Sequence, residues 1–196
     1  MNERWRALAL AGHTGDAELA RGALDDPDPA ARELALGALD RLGDLGDDEL
    51  MAATTDAVHS VRRRAAELAA SRPWLDLIAL LDDVEPNVVE MTAWSCGEHE
   101  DVTADVLHRL IHLAGSASAP LVREACVAAL GAIGDERGLP AILNGCRDVP
   151  AVRRRAVLAL APFDGDEVDA AIDSALADRD WQVRQAAEDL RRAAAG

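Results

Sequence analysis

The sequence predicts an all-α chain, a solenoid of about six stacked helical hairpins with an extra capping helix at its N-terminus. Three observations carry that prediction. A short pattern returns about every thirty residues, apolar residues inside each copy follow helical spacing, and prolines and glycines punctuate the chain in step with it. The 196 residues are 49% apolar but only 3% aromatic, with one Phe and no Tyr, so the core must be built from Leu, Ala, Val and Ile.

The repeat is anchored on second helices. Ala31-Arg32-Glu33-Leu34-Ala35, Val61-Arg62-Arg63-Arg64-Ala65, Val122-Arg123-Glu124-Ala125-Cys126, Val152-Arg153-Arg154-Arg155-Ala156 and Val183-Arg184-Gln185-Ala186-Ala187 superimpose without gaps, and Val88-Val89-Glu90-Met91-Thr92 fits with Val89 in place of the Arg. Within a copy the first, fifth and eighth or ninth positions stay small or apolar, as Val122, Cys126, Ala129 and Leu130 do, which draws one stripe along a helix.

Taken in order, the cap is expected over roughly Asn2 to Ala11, with Trp5, Leu8 and Leu10 turned inward. The hairpins follow at roughly 15–43, 47–71, 73–98, 101–134, 138–162 and 165–195, forming one domain without an internal linker. Each pairs a first amphipathic segment with a patterned second helix; Leu75, Leu77, Ile78, Leu80 and Leu81 supply the third copy's first helix, and Val168, Ala171, Ile172 and Leu176 the sixth's. Pro29, Pro86, Pro120 and Pro150 stand where second helices start, and Pro73 and Pro140 near the start of first helices, where a missing N–H costs nothing. Gly43, Gly97, Gly115, Gly134 and Gly165 fall at helix ends, where positive φ is wanted. Glu188, Asp189, Arg191 and Arg192 give the last helix a polar outer surface.

The pattern Asp-x5-Arg with Val-Arg-x-x-Ala-x-x-Ala-Leu-Gly resembles the HEAT-repeat family, in particular its bacterial phycocyanobilin-lyase-like branch. The resemblance implies a right-handed α-solenoid, with first helices convex, second helices concave, and an Asp–Arg ladder linking successive turns. Asp26 with Arg32, Asp56 with Arg62 and Asp178 with Arg184 match the six-residue offset, and Asp148 precedes Arg153 by one residue fewer. Copy three has Asp83 but Val89, and copy four has Arg123 but Ala117, so the ladder is expected to lapse at both and leave an irregular joint there.

Charge narrows the function. Twenty basic residues, all of them Arg, against 36 acidic ones give a net charge of −16, which repels nucleic acid and anionic membrane unless the positive residues gather on one face. No apolar run reaches the length of a membrane span, and the start Met-Asn-Glu-Arg-Trp-Arg lacks a secretory apolar stretch, so a cytoplasmic location is expected. Cys96, Cys126 and Cys146 have no Cys-x-x-Cys spacing and align with core positions, which points to reduced, buried thiols. Trp5, Trp74 and Trp181 read as packing residues.

No hydrolase, nucleotide-binding, zincin or EF-hand motif occurs, so no catalytic residue and no cofactor is expected. Two local features bear on metal. His99-Glu100 is similar to the His-Glu dyads of the HEAT-repeat deoxyhypusine hydroxylases, but the matching places in the other copies hold no His, and the pair reads as solvated loop charge. Asp101, Asp105, His108 and His112 are spaced 4, 3 and 4 along one helix stripe, a weak candidate for a divalent ion.

The stronger candidate is the inner ridge. Positions one, two and five after the Arg position are left out of the core stripe, and they place Arg63 and Arg64, Glu90, Met91 and Trp94, Glu124, and Arg154 and Arg155 along the concave face. Arginine pairs then flank a Met-Trp centre, the composition of a binding hot spot. The sequence is therefore read as a non-catalytic scaffold gripping another protein, with an acidic or extended segment as its ligand. The rival is an enzyme or chromophore handler on the same scaffold, bilin-lyase-like or metal-dependent; a DNA-glycosylase-like role fits the net charge least.

Overall fold

A computed structural model describes residues 3–194 of the chain; the expected cap residue Asn2 and the final residue of the sixth hairpin, Ala195, lie outside the described residues. Among the described residues there are twelve α-helices and no strand. The cap is α1 (Glu3–Thr14). The hairpins are α2 (Ala17–Arg21) with α3 (Pro29–Leu42), α4 (Asp47–Thr54) with α5 (His59–Leu68), a 3₁₀ segment (Ile78–Asp82) with α6 (Pro86–Gly97), α7 (Ala104–Ser116) with α8 (Pro120–Ile133), α9 (Leu139–Gly145) with α10 (Pro150–Ala159), and α11 (Asp166–Leu176) with α12 (Trp181–Ala194).

Local chemistry explains where these helices start. Pro29, Pro86, Pro120 and Pro150 each open a second helix, and Asp28 also accepts the Ala30 N–H at 3.0 Å as N-cap of α3. Thr103 does the same for α7 through the Val106 N–H at 3.3 Å. The exception is copy three, whose expected first helix is only a 3₁₀ segment. Its repeat is the shortest, and Arg72-Pro73-Trp74 is spent tying the loop back to copies one and two: Arg72 donates to Asp40 of α3 and the Trp74 indole to Asp47 of α4, at 2.9 and 2.7 Å. Pro73 thus opens no helix.

The second helices form a continuous row in which α1, α3, α5, α6, α8, α10 and α12 each pack on the next, whereas neighbouring first helices touch much less. The tight row is made by small residues. A Cβ at Gly97 would lie 3.1 Å from the Ala129 Cα, and one at Gly131 2.7 Å from the Ala159 Cα, so the backbones of α6, α8 and α10 approach almost to contact. Closer spacing on one side bends the array toward the second helices, which become its inner face. One apolar core runs beneath it from Ala11 to Ala187, and a small satellite of Leu8, Ala23, Ala31 and Ala35 seats the cap. Leu10 and the Trp74 and Trp181 rings are exposed, against expectation, while Trp5 is half-buried and donates to Asp28 at 2.7 Å.

The ladder is present with a different pairing. Each Arg uses Nε and Nη2 to grip the carboxylate of the next turn: Arg32 on Asp56 (2.8 and 2.7 Å), Arg62 on Asp83 (2.6 and 2.9 Å), Arg123 on Asp148 (2.6 and 2.8 Å) and Arg153 on Asp178 (2.8 and 2.8 Å). The residue six positions earlier offers only its backbone carbonyl, which receives Nη1 from Arg32, Arg62, Arg123 and Arg184; Arg153 uses the carbonyl of Asp148, five earlier. Asp83 and Arg123 are both paired, so the two expected lapses reduce to one. Glycine punctuation also divides: Gly43, Gly134 and Gly165 have positive φ, whereas Gly97 and Gly115 lie inside helices without it.

Candidate functional site

The inner face carries two separate hollows. The central one, about 300 Å³, lies between α6 and α8 with α10 at its edge. Trp94 of α6 and Leu121 of α8 form its apolar walls, 44% and 43% exposed, over a floor of Ala125, Ala128, Ala129 and Ala132. Small residues are what make it a hollow: the alanines of α8 project too little to cover the indole. Glu90 and Glu98 stand one helical turn before and after Trp94, and Glu124 and Arg155 complete the rim.

The second hollow, about 650 Å³, is lined by α1, α3 and α5 and holds Arg63 and Arg64 together with Trp5, Glu33, Leu34 and Glu67. Arg64 is tied to Glu67 at 2.9 Å, and its Nη2 lies over Gly37, where a Cβ would come within 2.5 Å. Glu33 accepts the Ser60 hydroxyl at 2.5 Å. Arg63 has no ion-pair partner among the described residues.

The predicted constellation is therefore divided. Trp94, Glu90, Glu124 and Arg155 meet around the central hollow; Arg63 and Arg64 belong to the other. Met91 is half-buried against the core and lines neither. Arg154 and Arg155 both turn toward Glu124, at 4.0 and 3.7 Å, so much of their charge is answered within the chain. The Nε of Arg155 is buried without a hydrogen-bond partner. Neither Glu90 nor Glu98 has an ion-pair partner among the described residues.

Leu121 and Glu98 were not foreseen, yet each leaves a trace in the sequence. Leu121 is the bulky exception in a column otherwise filled by Ala30, Ser60, Asn87, Ala151 and Gln182, and Glu98 continues the Glu90–Trp94 spacing of four.

The metal candidates come apart. Asp101 precedes α7, while Asp105, His108 and His112 are exposed along it, with His112 engaged by Arg109 and Ser116 at 3.0 and 3.1 Å. Among the described residues no three His, Cys, Asp or Glu side chains gather closely enough to hold a metal ion. His99 is not solvated: it is buried and donates Nε2–H to the carbonyl of Ala69 at 3.0 Å, pinning the end of α6 to copy two. Burial pushes the thiols of Cys96 and Cys126 up to about 12 and that of half-buried Cys146 to about 11. No helix among the described residues is long and apolar enough to cross a membrane.

Comparison with known proteins agrees with this architecture. The sequence signature described as HEAT repeats matches residues 75–161, and among curated proteins none matches the chain. Among solved structures, the Escherichia coli protein YibA superposes with a TM-score of 0.65 at 19% identity, over 95% of this chain and 73% of its own. A designed armadillo repeat protein in complex with the peptide (KR)4 gives 0.62 at 16% identity, over 90% and 98%. Human deoxyhypusine hydroxylase in complex with glycerol gives 0.50 at 17%, over 96% and 76%. At such identities the likeness concerns the fold, an all-α repeat solenoid, and the HEAT-repeat signature over residues 75–161 agrees with it.

Proposed function

We propose that the chain is a non-catalytic interaction scaffold that receives an extended segment of another protein along its inner face. One observation carries this reading: Trp94 and Leu121, from different helices, are both exposed toward the same alanine-floored hollow. Large apolar side chains converging on one concave spot favour a partner, because covering them removes apolar area from water and a truncated aromatic anchor commonly costs about 2 kcal/mol or more. A solenoid of similar fold, the designed armadillo repeat protein, is in complex with a peptide, which supports an extended occupant. An acidic residue of that occupant finds its best seat at Arg63; Arg64, Arg154 and Arg155 already face Glu67 and Glu124.

Affinity capture with the wild type, Trp94→Ala and Trp74→Ala tests the proposal. Trp74 is the control, a more exposed indole away from the inner face. Recovered proteins should fall away with Trp94→Ala and persist with Trp74→Ala. Equal recovery by all three would refute a role for the central hollow.

A further inference from the structure

We infer that the central hollow is built for a basic side chain, an arginine of the partner segment laid on the Trp94 ring. This rests on the inner face being the binding face, and it reverses the sign of charge that the arginine-rich sequence suggests there.

The argument is local charge accounting. Glu90, Glu98 and Glu124 surround the hollow against the single guanidinium of Arg155, and Arg154 adds its charge only from beyond the rim. The one acid that is answered is Glu124, approached by both arginines; Glu90 and Glu98 have no counter-ion among the described residues. These two lie on either side of Trp94 along α6, so the exposed indole sits between two unanswered carboxylates. A cation over an indole face is attracted by the ring quadrupole, and a guanidinium is the cation that can stack flat while its N–H groups fork outward to carboxylates. An acidic or neutral side chain would meet repulsion or leave both carboxylates unanswered. An arginine is matched on its face by the indole, at its edges by the acids, and along its stem by Leu121 and the alanine floor. The net charge of −16 draws such a segment in from a distance, and the hollow fixes where its arginine comes to rest.

The probes are a (Gly-Arg)4 and a (Gly-Glu)4 peptide, titrated by calorimetry at physiological ionic strength, where diffuse attraction is screened. The protein is compared with Trp94→Ala, with Glu90→Gln/Glu98→Gln, and with Asp166→Asn/Asp169→Asn, an equal change of charge at two exposed positions of α11. The arginine peptide should bind, lose about tenfold or more in affinity with either hollow variant, and keep its affinity with the α11 variant. A uniform weakening in both charge variants, indifference to Trp94→Ala, or no binding of the arginine peptide overturns the inference. Trp94-dependent binding of the glutamate peptide also overturns it, while leaving the inner face as the binding face. The capture experiment decides that underlying reading separately.

Discussion

Val89 and Ala117 are the two ends of one missing rung. In the rungs that exist, an arginine near the start of a second helix grips the aspartate of the following turn; Val89 occupies that arginine's position on α6, and Ala117 the aspartate's position before α8. The carbonyl of Ala117 still receives Nη1 of Arg123, as the carbonyl of Asp56 receives that of Arg62, so the turn is built as elsewhere without its acid. Losing both partners together leaves no buried ion without a mate, the arrangement that would cost most. The α6–α8 joint is therefore held by side-chain packing and by the Gly97–Ala129 approach, and it is the joint that carries the Trp94 hollow.

The missing rung should be restorable. Val89→Arg alone places a cation at a site 5% exposed with no carboxylate in the next turn, and should destabilise by about 2–4 kcal/mol. Ala117→Asp alone should cost less, because that position is half-buried. The double substitution should recover part of the loss, with a coupling of about 1–3 kcal/mol in a double-mutant cycle measured by urea unfolding. Strict additivity would show that positions 89 and 117 do not face each other as a rung.

The existing rungs predict a specific response to acid. The fork of Arg62 holds Asp83 below the ordinary carboxylate range, and Arg123 and Arg153 do the same for Asp148 and Asp178, each against the opposing effect of burial. At Asp56 burial is the largest influence and pushes upward, but the Arg32 fork and the Val58 N–H together outweigh it. A carboxyl depressed in the folded state stabilises fully above its unfolded value of about 4, and that contribution drains away as pH falls through the folded value. Urea midpoints should therefore be level from about pH 7 to 5 and decline below about pH 4. Asp83→Asn should lower the midpoint at neutral pH and make the acid limb shallower.

The fold was legible because its signals are local and repeated. Four prolines at N1 and a recurrent apolar stripe do not depend on distant context, and the structure places all of them as the period requires. What failed depended on neighbours. Arg32 and Asp26 lie six apart in sequence, but the fork reaches Asp56 because stacking brings the next turn closer to it than its own carboxylate. His99 looks like a loop charge until the end of copy two supplies a carbonyl beside it. Trp94 was readable as an inner-face residue, but its exposure follows from alanines on α8, and the charge around it follows from which acids Arg154 and Arg155 select. Position along a helix can be counted; the choice of ion-pair partner among several acids is made only in the packed array.

The thiols provide a check on packing in that array. With Cys96 and Cys126 at or below 1% exposure and their ionisation pushed to about 12, little thiolate forms at pH 8 and reagent has no path to the sulfur. Native protein treated with a disulfide reagent at pH 8 should leave these two unmodified, and all three cysteines should react once urea unfolds the chain. Prompt native labelling of Cys126 would mean that α8 is not packed between α6 and α10 as described.

Gly115 and Gly131 should respond in opposite directions to the same substitution. Both lie within helices and lack positive φ, so alanine gains about 1 kcal/mol of helix propensity at either position in the absence of steric conflict. At Gly115 the added methyl would meet only the Asn144 Nδ2 at 4.0 Å, and Gly115→Ala should raise the urea midpoint. At Gly131 it would lie 2.6 Å from the Ala159 Cβ and 2.7 Å from its Cα, the latter backbone that cannot rotate away. Gly131→Ala must push α8 from α10, an overpacking cost of about 1–3 kcal/mol that exceeds the propensity gain. Because that approach also sets the spacing of the inner row, Gly131→Ala should perturb the Trp94 hollow as well, changing tryptophan emission in the native baseline, whereas Gly115→Ala should leave that baseline unchanged. Stabilisation by both substitutions would remove the close α8–α10 approach from the account of why the array bends.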